Sequence, residues 1–91
     1  MTKITIKTLL WDDWNTEHIK KHNVTVNEVE IAAKNISWHK KAKNGKYLAG
    51  GRSGTRILSL IIRRKERTTY YVVTARDAEK RERKKLYERE V

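Results

Sequence analysis

The sequence predicts a small α+β domain in which a helical hairpin comes first and most of an antiparallel sheet follows. Three observations carry this prediction. Two helix-capping patterns and an Asn stop are crowded into residues 12–28. Runs of β-branched and aromatic residues, separated by Gly-containing turns, fill residues 46–75. The chain of 91 residues is long enough for one domain, 1–91, with one modest core.

The elements follow in order. Ile4 and Ile6 alternate with Thr5 and Lys7, which predicts a first strand ending near Leu10. Asp12 or Asp13 can cap a helix by accepting hydrogen bonds from its free N–H groups. Asn23 should end that helix in the left-handed conformation. Thr25-Val-Asn-Glu28 is a capping box, and Val26, Val29, Ala33 and Ile36 form the apolar stripe of the second helix. Beyond Trp38 the pattern changes. Asn44-Gly45 is a turn, residues 46–52 form strand two, and Ser53-Gly54-Thr55 turns into strand three. Strand three, residues 56–64, is apolar almost throughout, so both of its faces should be covered and it should be central. Strand four covers residues 69–75. A last helix starts near Asp77 and has only Ala78, Leu86 and Tyr87 to bury. The expected order is β-α-α-β-β-β-α, with the strands from 46 to 75 forming a meander.

Charge divides the chain unevenly. Residues 1–33 hold four Lys against five acids, a net of −1, whereas residues 34–91 hold eighteen Lys and Arg against six acids, a net of +12. This asymmetry points to a polyanionic partner, nucleic acid or an acidic protein, met through one face. The chain contains no cysteine, which excludes disulfides and thiolate zinc sites. No apolar run approaches the roughly 20 residues of a membrane span, and no signal peptide opens the chain, so a cytoplasmic protein with no membrane partner is expected.

Few residues suggest a familiar catalytic motif. His18 and His22 have the spacing of two helical metal ligands, but Ile19 stands where the zinc-protease motif needs Glu. They can instead pack and hydrogen-bond, or act as general acid and base. Gly50-Gly51-Arg52-Ser53-Gly54 lacks the Lys and following helix of a phosphate loop and reads as a bulge and hairpin turn. Lys40, Lys41, Lys43 and Lys46 flank a turn and suit a phosphate-tracking loop. Arg52, Arg56, Arg63, Arg64, Arg76 and Arg83 sit on or beside the sheet. Guanidinium groups hold a phosphodiester bidentately and offset charge developing at phosphorus, and an RNA's own 2′-hydroxyl can supply the nucleophile. A ribonuclease therefore needs positioning and electrostatics more than a protein nucleophile.

One set of residues resembles a known family. Trp11-Asp12, Asn15, Lys21-His22 and Val24 at the front belong to it. At the back it includes Gly51, Arg56, Leu58, Thr74-Ala75-Arg76, Ala78 and Glu82-Arg83. Together these resemble the BrnT family of bacterial toxins, within the wider RelE-like group. Relatives carry Gly where this chain has Asn23, a basic residue around Tyr71, and Tyr at position 86, where this chain has Leu86 followed by Tyr87. The resemblance implies a RelE-like fold and the toxin of a type II toxin–antitoxin pair. That toxin would be an endoribonuclease that blocks translation, with no metal or cofactor. Its implied partner is a BrnA-like antitoxin with a ribbon-helix-helix region. The two would form a symmetric complex that meets operator DNA only through the antitoxin.

On this reading Arg52, Arg56, Arg76 and Arg83 hold phosphates. Lys21, His22, His18 and Tyr87 assist proton transfer, and Lys40, Lys41, Lys43, Lys46, Arg63 and Arg64 bind RNA. Two alternatives fit the same charge pattern: a non-catalytic nucleic-acid-binding module, and a toxin acting by protein contact, as relatives on this scaffold that poison DNA gyrase do.

Overall fold

A computed structural model describes residues 4–90; residues 1–3 and 91, the two ends of the expected domain, lie outside them. The elements are β1 (Thr8–Leu10), α1 (Asp13–Lys20), α2 (Val26–Lys34), β2 (Ile36–Lys41), β3 (Lys46–Ser53), β4 (Arg56–Arg64), β5 (Thr69–Asp77) and α3 (Lys80–Glu90). They build one five-stranded sheet in the order β1-β5-β4-β3-β2. Consecutive strands from β2 to β5 are antiparallel, and β1 joins the edge of β5 in parallel. The α+β class, the leading hairpin and the central position of β4 are as the sequence predicts, but the second face of β4 is covered only in part, because Ile61 and Arg63 stay half-buried.

Local chemistry sets the hairpin. Asp12 caps α1: its carboxylate accepts from the Asn15 N–H at 2.9 Å, while Asn15 Oδ1 accepts from the Asp12 N–H at 2.8 Å. Asn23 takes the left-handed conformation (φ 57°) that stops the helix. Thr25 and Glu28 close the second capping box. Asn15 also anchors α1 to the sheet. Fully buried, it donates to the carbonyls of Leu10 and Val72 at 3.0 and 2.9 Å.

The two helices of the hairpin cover one face of the sheet. Ile19, Val24, Val29, Ala32 and Ala33 pack there against Leu58, Leu60, Ile62, Tyr70, Val72 and Ala75. On the other face α3 contributes Leu86, which packs with Trp38, Ile57, Ala78 and Leu48. Because α3 is short of apolar residues, it covers only one end of that face.

Several expected boundaries need correction. The order is β-α-α-β-β-β-β-α, one strand more than predicted, because residues 36–41 form β2. Ile36 therefore leaves the stripe of α2, and Lys40 and Lys41 lie on a strand rather than in a loop. Ile4 and Ile6 pack against the core outside β1, which is only three residues long. Asp77 ends β5 opposite Leu58, and α3 begins at Lys80. Gly50 and Gly51 lie inside β3, and the bulge falls on its partner β2, between Ile36 and Trp38. The turn expected at Gly54 is present, with φ 63°.

Candidate nucleic-acid interface

Strand pairing places side chains on the α3 face in rows. Directly opposed residues share a face, so Lys46, Arg63 and Tyr71 form one row across β3, β4 and β5. Lys40, Leu48, Ile61 and Thr74 form the next. The third row, Trp38, Gly50, Ser59 and Arg76, runs under α3. The first two rows are covered only in part: Lys40 is exposed, Leu48 packs at the edge of the α3 cluster, and the others are half-buried. This half of the sheet face is thus more open than the half under α3 and carries cations among apolar and hydroxyl side chains.

Two depressions mark the open half. One of about 260 Å³ is lined by Trp14, Lys46, Arg63, Lys65, Tyr71 and Val73. A broader groove of about 680 Å³ runs between the sheet and α3, past Trp38, Lys40, Leu48, Lys84 and Lys85, with Glu79 and Glu82 also in its wall. Lys85 Nζ lies 4.9 Å from the centroid of the Trp38 ring, a cation–π contact at the groove's wall. Arg63 Nε and Thr74 Oγ1 are buried atoms with no hydrogen-bond partner among the described residues.

Arg76 stands at the margin between the open and covered halves. Its guanidinium donates to both oxygens of Glu82, at 2.8 and 3.0 Å. Glu82 is buried, which opposes ionisation. The Arg76 bonds, the Glu79 N–H and the Ser59 hydroxyl overcome that penalty and hold its carboxyl down at about 2. The cluster ties α3 to β4 and β5 and holds the Arg76 side chain in place.

Arg56 lies on the hairpin side. Nε and Nη2 donate to Asp77 at 2.7 and 3.2 Å, and Nη1 donates to Glu28 and to the Asn23 carbonyl at 2.9 and 2.7 Å. The His22 carbonyl accepts a longer bond of 3.4 Å. These bonds clamp the turn between α1 and α2 onto the end of the sheet, and they raise the Arg56 pKa, the Asp77 hydrogen bond most of all. Arg83 donates to the Ala78 carbonyl at 2.8 Å; the Asp77 pKa is lowered chiefly by the Arg56 hydrogen bond, with a smaller contribution from the Arg83 charge.

The remaining expected site residues are dispersed. Arg52 makes a two-pronged bond to Glu90 at the far end of α3, and the exposed Tyr87 lies on that helix. Arg64 donates to the Arg67 carbonyl. Lys21 and His22 are exposed just after α1, and Lys41 and Lys43 are exposed at the β2–β3 turn. His18 stacks on Trp14, with ring centroids 4.8 Å apart and planes within 9°. No three His, Asp or Glu side chains converge as metal ligands among the described residues.

The structure therefore gathers Lys40, Lys46 and Arg63 on this face, with Arg76 at its margin, while His18 lies off it, stacked on Trp14. It adds Trp14, Lys65, Tyr71 and Thr74, which sequence reasoning had not placed in the site. For Trp14 the signal was its i, i+4 spacing to His18, and for Tyr71 and Thr74 it was their place in the family resemblance.

No family model matches the sequence, and no curated protein matches it. Among solved structures, the ribonuclease toxin BrnT of Brucella abortus is similar, with a TM-score of 0.63 at 20% identity. The match covers 86% of this chain and 100% of that one. In agreement with the resemblance in its residues, the chain has the fold of the BrnT ribonuclease toxin.

Proposed function

We propose that this protein is the toxin of a type II toxin–antitoxin pair, an endoribonuclease that binds RNA across the open half of the sheet. The observation that carries the reading is the grouping of Lys46, Arg63 and Lys65 around one depression, with Lys40 on the neighbouring row of the same sheet face. The fold it shares with a ribonuclease toxin gives that face its most economical use.

In the reaction, the RNA's 2′-oxygen attacks the adjacent phosphorus and the 5′-oxygen leaves, giving a 2′,3′-cyclic phosphate and a 5′-hydroxyl. The 2′-hydroxyl loses a proton and the leaving oxygen gains one. Arg63 offsets the charge that develops on the phosphoryl oxygens, and Lys46 and Lys40 hold neighbouring phosphates. We assign proton transfer to His18, which stacks on Trp14, because imidazole is suited to that task. A ribbon-helix-helix antitoxin that covers this face would silence it. Operator DNA would be met through that partner.

The test is RNA incubated with the purified protein in excess chelator. Cleavage should persist, and Arg63→Ala should slow it by roughly 100-fold, the scale of one lost donor to a developing oxyanion, with its circular dichroism unchanged. Dependence on added metal would overturn the mechanism. Salt-sensitive binding that leaves RNA intact would assign the face to a non-catalytic binding module. Growth arrest with intact cellular RNA would point to a toxin acting by protein contact.

A further inference from the structure

The depression beside Arg63 has a composition that phosphate binding does not require. Two of its six lining residues, Trp14 and Tyr71, are aromatic, and Trp14 is 57% exposed, the most exposed of the large hydrophobic side chains described. A singly exposed indole is ordinary by itself; what marks this one is its place in the wall of a depression lined by Lys46, Arg63 and Lys65. Trp14 is also held in place: His18 stacks parallel against it, and the His22 ring meets His18 edge-on at 5.8 Å. His18 covers one face of the indole, and Trp14, 57% exposed, keeps surface for a further stacking partner.

The other wall is fixed as well. The Tyr71 hydroxyl donates to the Asp12 carboxylate at 3.0 Å, which ties the phenol ring to the start of α1. Lys65 Nζ lies 5.9 Å from the Tyr71 ring centroid. Aromatic planes set beside cations form the arrangement that single-stranded nucleic acids use, with bases stacking on the rings and phosphates meeting the charges.

We infer that Trp14 and Tyr71 form a nucleobase subsite, in which one unpaired base of the RNA stacks on the Trp14 indole while its flanking phosphates contact Arg63, Lys46 and Lys65. This inference rests on the proposed RNA-binding face and adds base recognition to it. The subsite selects single-stranded RNA, because a base inside a duplex cannot leave its stack without cost. It also places the scissile linkage at a fixed distance from a stacked base.

The experiment measures binding without cleavage, using a 2′-O-methyl oligonucleotide of mixed sequence and an abasic oligonucleotide of the same length and charge. The wild-type chain should prefer the base-bearing strand. Trp14→Ala should weaken that strand's binding roughly tenfold, the scale of one lost aromatic–base stack, and leave the abasic strand's affinity where it was. Trp14→Phe should retain most of the preference. A Trp14→Ala variant that loses affinity for both strands equally, or for neither, overturns the subsite. So does a variant that keeps the preference for bases and loses only a protein partner. Because the assay involves no cleavage, a chain that shows the Trp14-dependent preference and yet leaves cleavable RNA intact supports the subsite and overturns the endoribonuclease reading alone.

Discussion

At the scale of single residues, the basic side chains that look alike in the sequence divide by their partners. Arg56 and Arg76 are held by carboxylates, whereas Arg63 keeps a buried Nε free of any described partner. Glu82 shows what such a partnership contributes. Its carboxyl stays ionised down to about pH 2 in the folded chain, against an ordinary value of 4.5. The stability this confers is fully present above the unfolded value and is lost as pH falls towards the folded one. The difference corresponds to on the order of 3 kcal/mol. Asp12, Glu28, Asp77 and Glu90 shift in the same direction and steepen the acid limb. Urea unfolding followed from pH 7 to pH 2 should therefore show stability falling most steeply below about pH 4.5. Glu82→Gln should lower stability at neutral pH and flatten that fall. The same pair complicates any activity assay of Arg76→Ala, which strands a buried carboxylate and needs a folding control.

At the scale of elements, legibility follows the reach of the interaction. The caps at Asp12 and Thr25 and the left-handed Asn23 were readable because each is settled within four residues. β2 was not. Ile36 continues the helical stripe of α2, and Lys40 and Lys41 suit a loop as well as an edge strand, so only pairing with β3 decides. The parallel contact between β1 and β5 joins residues about sixty positions apart and leaves no local trace. The site behaves likewise. Its cations were visible as a cluster in the sequence, but which of them are free depends on distant carboxylates. Gly50 and Gly51 were read locally as turn formers, whereas their role comes from neighbours distant in sequence. A Cβ on Gly51 would collide with the carbonyl oxygen of Ala32, and one on Gly50 with the Trp38 indole. Gly51→Ala must push α2 off β3, because a backbone carbonyl yields less readily than a flexible side chain. Its cost should be about 1–3 kcal/mol, the range for overpacked sites. Denaturant midpoints should show the loss, while Gly45→Ala, at an open left-handed turn position, should report backbone strain alone.

At the scale of the whole molecule, the fold turns a linear charge asymmetry into a spatial one. The near-neutral first third supplies the hairpin that covers one sheet face, and the strands and α3, with most of the +12, frame the other. A surface of this kind binds polyanions by releasing their counterions, so affinity for single-stranded RNA should fall linearly on a log–log plot against salt. The slope counts the cations that reach phosphates, and it separates them from those that only hold the fold together. Lys40→Ala, Lys46→Ala and Arg63→Ala should each lower the slope by about 0.7, the value for one phosphate contact to a single strand. Arg56→Gln removes the same unit of charge from the opposite side of the sheet. It should leave the slope within error of wild type and instead lower the denaturation midpoint, because it releases Asp77, Glu28 and the Asn23 carbonyl together. A slope that dropped equally for all four variants would show that the chain acts through net charge alone, with no phosphate track on the open face.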